Sequence, residues 1–230
     1  MSDLNINPQL LELIKTKSAL SKDTTDAAFE IFTQLKDLLS RMDREFRKEV
    51  SATDNRIKIQ YNDNGTFEAE LKVADDVLIF MMHSNAFVFD DHHAVWKTSY
   101  VKSDNSRTTC GMISIYNFLH DSFKFERKND YGVLIARIFI NREKHFFVEG
   151  KKQLGVLFND FGNDVLDEKT LQTIIETALI YSLDVDIAVP SFDSMKEITV
   201  SDVIQYSMQA AISTSKHLGF MFEKREKDVE

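Results

Sequence analysis

The stretch from Tyr131 to Lys152, YGVLIARIFINREKHFFVEGKK, constrains the fold more than any other part of this chain. Tyr131–Ile140 is rich in β-branched and aromatic residues, and Asn141-Arg142-Glu143-Lys144 reads as a four-residue turn, which predicts a β-hairpin. With Ile140 placed opposite His145, cross-strand partners share a face of the sheet. One face then carries Leu134, Ala136, Ile138, Ile140, His145, Phe147 and Glu149. The other carries Val133, Ile135, Arg137, Phe139, Phe146 and Val148. Both are mostly apolar, whereas a sheet with one wet side alternates. The pattern demands cover on both sides.

Two charges interrupt it. A buried charge is expensive unless it is paired, so Arg137 and Glu149 are expected to sit at a rim, in ion pairs, or facing a ligand or a partner subunit. In the register above they point opposite ways and do not pair with each other. Aromatic residues crowd the predicted strands, and Trp96 and Phe147 join Arg137 and Glu149 as candidate ligand or partner contacts.

Upstream, Pro8 opens a short helix to Lys17, a polar break spans Ser18–Asp26, and Asp23 or Thr24 caps a long helix to about Glu49. Ala28, Ile31, Leu35, Leu38, Met42 and Phe46 form its apolar stripe. From Arg56 the period changes to two. Ile57, Ile59 and Tyr61 then match Phe67, Ala69 and Leu71, with Tyr61 opposite Phe67, Lys58 opposite Glu70, and Gly65 left-handed in an odd-length loop. Further strands are predicted over Asp76–His83, Asn85–Asp90, Ala94–Val101, Cys110–Leu119 and Ser122–Arg127. Downstream, Asp167 caps a helix to about Ser182 with Leu171, Ile174, Ile175, Ala178 and Leu179 inward. Asp184–Phe192 is extended, and a last helix from Thr199 or Ser201 ends at Gly219, with small residues over Ser207–Ser215.

The fold expected is α+β, in one domain. An antiparallel meander of about seven to nine strands (56–152) is flanked by N-terminal helices (1–50) and C-terminal helices (163–220), before a charged tail (223–230). Only 7 Gly and 2 Pro, against 18 Phe, fit long regular elements around a sizeable core. The net charge of −9 opposes attraction to nucleic acid or an anionic membrane. The single cysteine, Cys110, fits a reducing compartment, and no secretory signal or long apolar run is present, so a cytoplasmic location is expected.

Catalytic signals are sparse. Glu149-Gly150-Lys151 with the earlier Asp130 is a residue set that metal-dependent nucleases of the restriction-enzyme type use. In the predicted register, however, Glu149 lies about 20 Å from Asp130, too far to share an ion. Asp90, Asp91, His92 and His93 are all usable metal ligands, but they are adjacent in a predicted turn and lack a second cluster at ligand spacing. No cofactor motif is present. The chain therefore reads as a non-enzymatic binding or interaction protein, a homo-oligomer through an apolar sheet face or the small-residue helix. One alternative is a small apolar ligand held under a curved sheet; the other is a metal-dependent hydrolase.

Overall fold

The computed structural model describes residues 7–185, 192–197 and 199–201. The stretch around Pro190, the last helix with its small-residue middle, and the charged tail lie outside them or largely so. The described chain is α+β: an antiparallel sheet of seven strands, a long N-terminal helix, and a C-terminal helix on the same face.

Helix α1 (Pro8–Leu13) runs through a π-helical turn, Ile14–Ser18, into α2 (Ala19–Thr53). The break predicted over Ser18–Asp26 is absent. That stretch holds no Gly or Pro, and Thr24 does not cap: its buried hydroxyl donates to the Leu20 carbonyl at 2.8 Å, back along the same helix. Ala28, Ile31, Leu35, Leu38 and Met42 are buried as the periodicity requires.

The strands are β1 (Ile59–Asp63), β2 (Glu68–Val73), β3 (Asp76–Met82), β4 (Phe87–Val88), β5 (Thr109–Leu119), β6 (Val133–Asn141) and β7 (Phe146–Gly150). Their order is β1-β2-β3-β5-β6-β7, with β4 pairing the start of β5. Gly65 takes a positive φ of 104° in the first hairpin, as expected. The register is four residues from the predicted one: Tyr61 faces Leu71, and Glu70 faces Asn62 rather than Lys58. Parity survives, so the apolar sets still share a face. Asn62 Nδ2 donates to Glu70 Oε1 at 3.1 Å.

One face of the sheet buries Leu71, Leu78, Phe80, Ile113, Ile115, Ile138, Ile140, Phe146 and Val148 against α2 and helix α5 (Glu168–Leu183). Asp167 caps α5 as predicted, its Oδ1 accepting from Thr170 N at 2.7 Å, and the expected stripe from Leu171 to Leu179 is buried. Each such aliphatic or aromatic side chain contributes roughly 1.5–3 kcal/mol. Helix α2 lies close on the sheet at Gly111. A β-carbon there would stand 2.4 Å from Ala28 Cβ, closer than two carbons can come.

Two predicted strands are helical instead. Ala94–Val101 becomes a 3₁₀ turn (Ala94–Lys97) and helix α3 (Ser99–Ser103), followed by a second 3₁₀ turn (Asn105–Thr108). Side chains override the alternation, because His93 Nδ1, Thr98 Oγ1 and Asp104 Oδ1 each accept a backbone N–H at the start of one of these turns. Ser122–Arg127 likewise falls on helix α4 (His120–Lys124) and a left-handed Glu126. Asn85–Asp90 shrinks to the two residues of β4.

Gly111→Ala is expected to cost about 1–3 kcal/mol of unfolding free energy through overpacking. Adding Ala28→Gly should recover part of the loss. Urea denaturation of the two single variants and the double variant measures both effects.

Candidate functional site

The hairpin's second face is where the sequence-selected residues converge, and the reason is its register. Ile140 pairs with Phe146, not His145. Asn141 stays in the strand, Lys144 adopts a left-handed φ of 62°, and Asn141 N donates to His145 O at 3.0 Å, so the turn is three residues (142–144), one fewer than predicted. Asn141 Oδ1 fixes it by accepting from Glu143 N at 2.9 Å and His145 N at 3.1 Å. A one-residue slip turns every side chain of one strand to the opposite face. Arg137 therefore stands directly opposite Glu149, and the two form an ion pair, contrary to the expectation that they diverge. Phe139 likewise meets Phe147, with ring centroids 5.1 Å apart in a stack.

This face is shielded by the chain itself. The segment 89–108 forms a cap across the start of β5 and the hairpin. Phe139 and Phe147 are only 4% and 7% exposed, packed with Val95, Val101, Cys110 and Phe161. Phe89 meets both rings, at 4.9 and 5.4 Å. Trp96 belongs to the same cluster, and its Nε1 donates to the Asp90 carbonyl at 2.9 Å. Cys110 is fully buried, and burial pushes its thiol well above the usual range, which leaves it inert.

Besides the Arg142–Asp104 pair at 3.1 Å, three polar anchors tie the cap to the hairpin. The first is Tyr100, whose hydroxyl donates to Glu143 Oε2 at 2.8 Å and accepts from Asn141 Nδ2 at 2.9 Å. Its ring stacks on His145 at 4.5 Å, and His145 Nδ1 donates to the Phe161 carbonyl at 3.1 Å. The second is Arg107, which lies over the Tyr100 ring and pairs with Glu143 at 3.2 Å. The third is His93. Its Nδ1 accepts from Val95 N at 3.2 Å, so the proton of the neutral ring is on Nε2, which donates to Glu149 Oε1 at 3.3 Å. Arg137, Glu149 and His93 thus form one chain of contacts at the edge of the cap.

Of the four residues in the Asp90–His93 turn, His93 alone joins this chain. Asp90 Oδ1 accepts from His92 N at 2.9 Å, and Asp90, Asp91 and His92 are exposed. Among the described residues, no three His, Cys, Asp or Glu side chains are grouped so as to hold a metal ion. Asp130 belongs to a different corner: it pairs with Arg127 at 2.7 Å and accepts from Ser122 Oγ at 2.6 Å. Tyr100, Asn141, Glu143 and Arg107 carry the anchoring and were not singled out by sequence. A turn asparagine beside acidic and basic neighbours was the signal available for them.

Beyond the cap the second face opens. The cross-strand row Met81, Ser114, Arg137, Glu149 lies at its edge, and the row Ile79, Tyr116, Leu134 lies next to it. At the far side, Phe118 packs on Phe123 at 5.3 Å where α4 turns the chain. A band two rows wide, roughly 7 Å between rows, therefore runs between two walls. Met81 is 45% and Leu134 37% exposed in it, whereas Ile79 and Ser114 are buried between their neighbours.

No family model, curated protein or solved structure matches this chain. No described helix is long and apolar enough to cross a membrane.

Tyr100→Phe strips the buried Asn141 amide of its acceptor and is expected to cost about 1–3 kcal/mol, read by chemical denaturation. A second expectation concerns acid. Burial pushes the Glu143 carboxyl up, but hydrogen bonds from Tyr100 and Arg107 outweigh it and hold the group below its usual range. A depressed folded-state pKa stabilises above the unfolded value and loses that effect as pH falls through the folded one. The emission of Trp96, the only tryptophan, should therefore shift below the carboxylate range before helical circular dichroism is lost.

Proposed function

We propose that this chain is a non-enzymatic interaction protein that receives another polypeptide on the open band of the sheet's second face. The supporting observation is the band itself: Met81 and Leu134 stand exposed beside Tyr116, between walls the chain has built, with the paired Arg137 along one side. Apolar surface enclosed by a polar rim is the usual composition of a docking site. The space beneath the cap favours this reading over a small apolar ligand. There Phe89, Phe139, Phe147 and Phe161 occupy the interior in mutual contact, with centroid separations of 4.9 to 5.4 Å.

A photo-crosslinking residue placed at 81 or 134 in the full chain tests the reading inside cells. One polypeptide partner should be captured from both positions, and capture should fall at least tenfold when Tyr116→Asp is added. Equal capture from exposed Val88, outside the band, would overturn it. Native mass spectrometry of the purified chain should show no retained small molecule; a stoichiometric extra mass would favour the ligand reading instead.

A further inference from the structure

We propose that the free edge of β1 pairs antiparallel with β1 of a second copy, joining two sheets into one. The inference goes beyond the band, which lies on a face rather than an edge.

It follows from where the backbone bonds of β1 go. Ala74 N donates to Lys58 O at 2.9 Å and Asn64 N to Glu68 O at 3.2 Å, in the same register that pairs Gln60 with Lys72 and Asn62 with Glu70. Even-numbered residues therefore bond inward to β2. Ile59, Tyr61 and Asp63 point their N–H and C=O groups outward, as the alternation of an antiparallel ladder requires. Among the described residues no backbone group bonds to these three. The opposite edge of the sheet is treated differently. Along β7, Phe146 N donates to Asp164 O at 3.2 Å and Val148 N to Phe158 O at 2.8 Å, so the loop that follows closes that edge. An open edge is a template for another strand, and natural proteins usually block it with proline, lysine or a bulge. Over Ile59–Asp63 none of these occurs.

The sequence of β1 selects a copy of itself as the occupant. A two-fold axis through Tyr61 sets Ile59 against Asp63, Gln60 against Asn62, and Tyr61 against its equivalent. Every outward group then meets an outward group, giving about six main-chain hydrogen bonds. The side chains agree on both faces. The apolar face carries Ile59 and Tyr61, whereas the wet face carries two amides that already bond each other, Gln60 Nε2 donating to Asn62 Oδ1 at 2.8 Å. Asp63 is neutralised by Lys36 at 2.6 Å, and the two copies of Asp63 fall at opposite ends of the pair. Lys58 of one copy comes beside Asn64 and Asp63 of the other. No like charges face each other.

An interface built on one strand is small, so association is expected in the micromolar range or weaker. Sedimentation velocity from about 5 to 500 µM should show a concentration-dependent dimer of the 26.6 kDa chain. Amide exchange at Ile59 and Tyr61 should slow at the high end of the series. Gln60→Lys with Asn62→Lys places lysines opposite lysines across the axis and should weaken dimerisation at least tenfold, with an unchanged melting temperature. Tyr61→Pro removes one outward N–H and should weaken dimerisation likewise, with a lower melting temperature because the Tyr61 ring packs against the core. A monomer throughout overturns the proposal. So does a dimer that both variants leave intact, which would locate association elsewhere; neither result touches the crosslinking test of the band.

Discussion

The organisation of the second face rests on the side chain of one residue, Asn141. Its oxygen accepts the two backbone N–H groups of the hairpin turn, and its nitrogen donates to the hydroxyl of Tyr100. The first pair of bonds sets the register of β6 against β7. The last reaches across to the cap. A buried amide satisfied on both ends is costly to disturb, because any rearrangement leaves a polar group unpaired. Strand register and loop position are therefore coupled through one side chain. The Arg137–Glu149 pair, the Phe139–Phe147 stack and the His93 contact all follow from that coupling.

Much of the scaffold was legible in the sequence because it is written in periodicity. The stripe from Ala28 to Met42 and that from Leu171 to Leu179 face the sheet as their spacing requires. The alternation from Ile59 onward produced strands, and the turn end of the hairpin is covered on both sides, whereas Leu134 and Arg137 on its second face stay exposed. What periodicity could not supply was competition from side chains with the backbone. His93, Thr98 and Asp104 fold an alternating stretch into short helices, and Thr24 lets a helix run through a polar segment. Asn141 joins its strand and shortens a turn by one residue. Each is a local hydrogen bond whose partner is fixed only in three dimensions.

The candidate site shows the same division. Arg137, Glu149, Trp96 and Phe147 stood out because charge or aromatic bulk interrupted a pattern, and all four lie at or under the cap. Their relation was misread through a single residue of register, which made two partners look like two isolated charges. The cover expected on the hairpin's outer side comes from the chain's own segment 89–108. The apolar surface that stays open is displaced toward the middle of the sheet.

The uninterrupted helix has a mechanical meaning as well. From Pro8 to Thr53 it is roughly 65–70 Å long at about 1.5 Å per residue, whereas six strands at about 4.8 Å span far less. Its first buried residue is Thr24, so the opening turns overhang the body with Leu10, Leu11, Leu13 and Ile14 exposed. A rod clamped at one end delivers force applied at its tip to the clamp. Here the clamp begins at the seam where Ala28 meets Gly111, near the start of the strand that runs beneath the cap.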